Sequence, residues 1–141
     1  MINSIKHTVF LTSTLLFFVA CTKTKNDICD VNQICYTDAP NELYVKLELS
    51  PNPSSDPVEV MFYIGNLDNG ELYDHFYTLS DVEYYLMPVN ERYTAAAKYL
   101  VDGDTIMVVN SDKLNRTSYK NCDETCYDWE DEMVLNLKLK D

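Results

Sequence analysis

Apolar residues recur at every second position along much of this chain. Leu43, Val45, Leu47 and Leu49 alternate with Tyr44, Lys46, Glu48 and Ser50, the period of a strand with one face buried. Pro51, Pro53 and the Ser54-Ser55 pair end that run. Val58, Val60, Phe62 and Ile64 alternate next and close at Gly65, and Asp68-Asn69-Gly70 reads as a hairpin-type turn. Across Glu71–Thr78, Leu72, Asp74, Phe76 and Thr78 oppose Tyr73, His75 and Tyr77. Val82, Tyr84 and Leu86 follow, stopped by Pro88, and a further run extends from Tyr93 to Val101. Asp102-Gly103, flanked by β-prone residues, is a strong two-residue hairpin signal. It sets a register in which Tyr99 faces Ile106, Ala97 faces Val108 and Lys98 faces Met107. In the last run, Met133, Leu135, Leu137 and Leu139 alternate with Val134, Asn136, Lys138 and Lys140. Its outward lysines suit an edge or solvent face.

These are seven short strands within about 100 residues and little helical periodicity, which predicts an all-β, antiparallel two-sheet sandwich. Asn110 to Asp131 breaks the pattern. A polar stretch of that length in a compact domain is either functional or stapled down, and Cys122 and Cys126 point to stapling. The run Tyr85-Leu86-Met87-Pro88-Val89-Asn90-Glu91-Arg92-Tyr93-Thr94-Ala95-Ala96-Ala97-Lys98-Tyr99 resembles the small transthyretin-like or immunoglobulin-like sandwiches common in lipoproteins of Bacteroidota. The resemblance covers roughly Glu42 to Lys140 and implies a fold, not an activity.

The first 20 residues have a different organisation. Lys6 precedes the apolar run Val9–Ala20, which holds Thr12, Ser13 and Thr14 and is too short to span a bilayer. Phe18-Val19-Ala20-Cys21 resembles the lipobox of bacterial lipoproteins, followed by the polar segment Thr22–Asp27. That resemblance implies cleavage before Cys21, a diacylglyceryl group on its sulfur and an acyl chain on its new amino group, enough lipid for stable membrane anchoring. The expected organisation is a signal peptide at 1–20, a lipidated cysteine and tether with the first cysteine pair at 21–41, and a sandwich domain at 42–141. Thr22 stands where an inner-membrane retention Asp often sits, which favours the outer membrane. Lys23 and Lys25 lean toward its periplasmic face, without deciding between that and the cell surface.

Composition narrows the partners. Eleven Lys and Arg stand against 23 Asp and Glu, a formal net charge of −12. Phosphate contacts need clustered cations, so nucleic acid is excluded as a partner. A membrane is met through the lipid, not through headgroup charge. An acidic surface suits a basic protein partner, or merely keeps a tethered domain soluble. Beyond Cys21 there are four cysteines: Cys29, Cys35, Cys122 and Cys126. In an exported chain an even number reads as two disulfides. The close spacing of Cys122 and Cys126 makes a bridge between them awkward. The expectation is therefore two bridges from the first pair to the second, each closing a loop of roughly 90 residues and contributing on the order of 4 kcal/mol. A zinc site fits less well, because Cys29 and Cys35 are spaced too widely.

Candidate chemistry is sparse. His75 stands in a predicted strand, no Gly-x-Ser-x-Gly turn is present, and paired cysteines leave no thiolate. An enzyme is not expected, nor a cofactor. Asp123, Glu124, Asp128, Glu130, Asp131 and Glu132 form an acidic run that lacks the spaced aspartates and turn glycine of a calcium loop, so no metal is assigned. Asp123, Glu124, Asp128, Trp129 and Glu130 are the candidate contacts for a protein or glycan, with Tyr44, Tyr63, Tyr73, Tyr77 and Tyr85 on outward faces. Ordinary sheet packing is the plainer account of most tyrosines, and Trp129 beside the second cysteine pair suits a cover for the bridge. Asp104-Thr105-Ile106 resembles the O-glycosylation acceptor of exported Bacteroidota proteins, with Thr105 as the acceptor. Asn115-Arg116-Thr117 matches an N-glycosylation acceptor, which a bacterial lipoprotein makes irrelevant. The function expected is a non-catalytic binding or accessory module. The alternatives are a structural envelope lipoprotein and a small inhibitor or immunity-type protein acting through one acidic loop.

Overall fold

The computed structural model describes residues 32–140. The expected signal peptide, lipidation at Cys21 and Cys29 lie outside the described residues. Nine strands follow in order: β1 Glu42–Glu48, β2 Val58–Ile64, β3 Glu71–Thr78, β4 Val82–Pro88, β5 Arg92–Val101, β6 Asp104–Lys113, β7 Arg116–Asn121, β8 Glu124–Trp129 and β9 Glu132–Asn136. One sheet has the order β4-β1-β9, a second β3-β2-β5-β6, and β7-β8 form a third. The fold is an all-β sandwich, as the alternation predicts. Pairing is antiparallel except between β1 and β9, the two ends of the sandwich chain, which run parallel.

The core lies between the first two sheets. Leu43, Val45 and Leu47 of β1 and Met133 and Leu135 of β9 face Val58, Val60 and Phe62 of β2 and Tyr93, Ala95, Ala97 and Tyr99 of β5. Each set is one face of its strand, so the period-2 pattern translates directly into burial. Two tyrosines of β5 fasten the layers together. Tyr93 donates its hydroxyl to the Pro88 carbonyl of β4 at 2.7 Å. Tyr99 donates to the Leu137 carbonyl at 2.9 Å and accepts from the Ser50 amide at 3.1 Å. A buried hydroxyl without a partner is costly, so these bonds fix how the sheets stack. Among the described residues Thr94 is the buried polar one, and it is served by the Gly65 carbonyl at 2.6 Å and by Ser111 Oγ at 2.9 Å.

The Asp102-Gly103 turn behaves as expected. Both residues take positive φ, 52° and 90°, and Tyr99–Ile106, Lys98–Met107 and Ala97–Val108 pair in the expected register. Two phases differ. Along β4 it is Tyr85 and Met87 that turn inward, leaving Tyr84 and Leu86 exposed. Tyr85, expected outward, packs on Phe62 at 4.7 Å between ring centroids and donates to Asp74 Oδ2 at 2.9 Å. Apolar side chains on both sides of β4 made its phase unreadable. In β3 a bulge opposite Phe62/Tyr63 inserts Tyr73 as an extra residue. Its ring therefore meets Phe62 and Tyr85 at 5.9 and 6.1 Å.

Asn110–Asp131 is not the loop expected. β6 runs on to Lys113, and the rest forms the β7–β8 hairpin, closed by a two-residue loop at Cys122-Asp123. The physical reason is that Thr117, Tyr119, Thr125 and Tyr127 favour strands but present no continuous apolar face. The alternation signal is absent where the strands are real.

Candidate functional site

The β7–β8 hairpin is held against the sandwich mainly by the segment that precedes β1. Cys35 is bonded to Cys126 across 91 residues of chain, a bridge from the first cysteine pair to the second as expected. Cys122 is also disulfide-bonded, and its partner lies outside the described residues. The Tyr36 carbonyl accepts from the Tyr127 amide at 2.9 Å, and the Tyr36 ring leans on Trp129 at 5.3 Å. Arg116 donates to the Pro40 carbonyl at 3.0 Å while its guanidinium lies 5.2 Å from the centre of the Tyr127 ring. Tyr119 donates to the Ile34 carbonyl at 3.0 Å. Residues 34–40, expected to be tether, thus form one wall of the hairpin's surroundings.

Where this hairpin meets the end of the sandwich, a cleft of about 360 Å³ opens. Its floor is apolar: Leu114 and Met133 are buried, and Trp129 is half-buried against the core. Asp112, Lys113, Asn115, Thr117, Asp128 and Glu130 supply the polar lining. Leu114 is set in place by backbone bonds in both directions, donating to the Glu91 carbonyl at 2.9 Å and accepting from Asn90 at 2.6 Å. Thr117 Oγ1 donates to the Asp128 carbonyl at 3.3 Å, tying β7 to β8 at the cleft's edge.

The fold divides the acidic run. Asp128, Trp129 and Glu130 come to the cleft, whereas Asp123 and Glu124 sit at the hairpin's far tip. From Glu124 to Asp128 the strand advances roughly 13 Å, so the five candidate contacts are not one site. Trp129 is the aromatic part of the cleft floor, with the Tyr36 ring against it. Among the described residues, no group of three or more His, Cys, Asp or Glu side chains is arranged to hold a metal ion. Asp112, Asn115 and Thr117 were missed as site residues. Only the β7–β8 pairing brings them beside Trp129, and that pairing left no apolar trace in the sequence.

Elsewhere, tyrosines mark both outer sheet faces. Tyr44 and Tyr84 meet edge to face at 6.4 Å on the β4-β1-β9 side. Tyr77 is exposed on the other side, with the His75 ring 5.7 Å away, and Tyr63 is half-buried there. Each face centres on a carboxylate that meets two nitrogen-bearing side chains. Glu48 contacts Lys46 at 2.9 Å and Lys138 at 2.8 Å. Glu59 contacts Lys98 at 3.1 Å and His75 at 2.9 Å. Lys98, then His75, hold the Glu59 carboxyl below the usual range. Thr105 is exposed next to the Asp102-Gly103 turn, at the pole opposite the cleft. Compared with protein-family models, with curated proteins and with solved structures, the chain matches none.

Proposed function

We propose that this chain is a lipid-anchored, non-catalytic binding or accessory module of the outer membrane, and that the cleft over Trp129 is where it meets a protein or glycan. The carrying observation is that cleft: a half-open aromatic side chain on an apolar floor, ringed by carboxylates, an amide and a hydroxyl. Apolar floors with a few convergent polar groups are the general form of ligand sites. The lipobox-like run ending at Cys21 supports the anchor. Residues 34–40, bonded to the hairpin, lie on the chain side leading back to that cysteine.

Calorimetric titration of the full chain against envelope polysaccharides and envelope proteins tests the surface. A ligand should bind the wild type, and Trp129→Ala should weaken it by roughly tenfold or more, the loss expected of a central aromatic anchor. Heat with no ligand in the panel, or equal binding by the variant, would remove the cleft from the account. Cys21→Ser tests the anchor separately: it should move the protein from the membrane fraction to the soluble fraction.

A further inference from the structure

The two sheet faces and the cleft treat their carboxylates differently. Glu48 lies between Lys46 and Lys138, and Glu59 is paired with Lys98 and bonded to His75. Asp112, Asp128 and Glu130 have no ion-pair partner among the described residues, and the only cationic side chain lining the cleft is Lys113. Three carboxylates against one ammonium leave an excess of negative charge around an apolar floor.

We propose that the cleft takes a lysine or arginine side chain of a basic partner protein. This rests on reading the cleft as the binding surface and names what enters it. The methylene stem packs on Trp129, Leu114 and Met133, and the cationic head reaches the carboxylates at the rim, the division of labour these long side chains make wherever apolar and polar surface adjoin. The carboxylates are too dispersed to form a metal cluster, which suits a long, mobile cation better than a compact ion. The volume, about 360 Å³, is at the small end for ligand clefts and fits one side chain. Charge beyond the cleft favours a protein over a saccharide. Asp123, Glu124 and Asp131 extend the acidic surface along the hairpin and past its end, and the chain carries −12 overall. Such a field steers a partner with several basic groups and gives a neutral sugar nothing.

Trp129 is the chain's one tryptophan, so its emission reports on this site alone. The full chain is titrated with tetra-lysine and tetra-arginine peptides, with tetra-glutamate and with neutral hexose oligosaccharides. A saturable change with the cationic peptides alone, weakening from about 0.05 M to about 0.5 M salt, is the expected result. Asp128→Asn/Glu130→Gln should weaken it by roughly tenfold. Asp102→Asn/Asp104→Asn, which removes the same charge at the opposite pole, should leave it nearly unchanged. Glu130→Gln alone gives an intermediate loss and serves if the double variant melts early. An equal loss in the distant pair would reduce the effect to net charge and overturn the proposal. A response to the neutral oligosaccharides but not to the cations would also overturn it, while keeping the cleft as a binding surface. Silence toward every probe would end the cationic reading, and the calorimetric panel then decides the surface itself.

Discussion

The sandwich and the β7–β8 hairpin use similar strand residues but are stabilised in different ways. In β1, Leu43, Val45 and Leu47 all enter one core, and β2 and β5 answer them from the other sheet. In β8 only Cys126 is fully buried, and β7 buries nothing completely. An isolated hairpin of this length is marginal in water. It is held by the Cys35–Cys126 disulfide and that at Cys122, a single backbone bridge to Tyr36, the Arg116 and Tyr119 bonds to the segment before β1 and the Trp129 contact with the core. The lesson is that apolar alternation reports a strand only when the strand has a layer to pack against.

The sharpest way to break this comparison is to attack the sandwich at its centre. Phe62 is buried and touches the rings of Tyr73, Tyr85 and Tyr93. Phe62→Ala should cost about 3–5 kcal/mol, the lost transfer free energy plus the cavity left behind. Denaturant unfolding followed by circular dichroism measures it. A loss near 1 kcal/mol would mean that the layers are not packed around this ring.

The converse experiment removes one covalent hold on the hairpin and leaves that at Cys122. Cys35→Ala/Cys126→Ala opens a loop whose closure is worth about 2–4 kcal/mol in typical cases. Cys122 stays disulfide-bonded, so the double variant isolates one bridge. Hydrogen exchange should accelerate across Arg116–Trp129, while amides of β2 and β5 keep their protection. Equal loss of protection in both regions would show that hairpin and sandwich form one cooperative unit, and the distinction drawn above would fall.

What could be read from the sequence follows the same division. The phases of β1, β2 and β9 and the whole register of the β5–β6 hairpin were legible, because each strand has one apolar face or a turn that admits few geometries. β4 misled because Tyr84 and Leu86 are as apolar as Tyr85 and Met87, so only the core's position decides which pair goes in. The Tyr73 bulge left no mark, since an extra residue alters pairing and not composition. Of the candidate site, Asp128, Trp129 and Glu130 were legible as an aromatic within acids. Asp112, Asn115 and Thr117 come beside them only through a hairpin that polar residues concealed.

The smallest expected effect concerns how little the sandwich depends on charge. Glu48 bridges β1 to the segment after β9: Lys138 bonds it first and Lys46 second, and together they pull its carboxyl down to about 2. A carboxyl depressed in the folded state stabilises the fold above its ordinary pKa of about 4.5, and that contribution fades as pH falls through the depressed value. The wild type should therefore lose melting temperature between about pH 4.5 and about pH 2 more steeply than Glu48→Gln does. The two curves should converge at the acid end. High salt should shrink the gap, because the pair is exposed to solvent screening. Lys138→Ala should flatten the profile nearly as much as Glu48→Gln, since its bond is the larger cause. If only Lys46→Ala did so, Lys138 would have no part in the depression, and the segment after β9 would owe nothing to charge in its hold on β1.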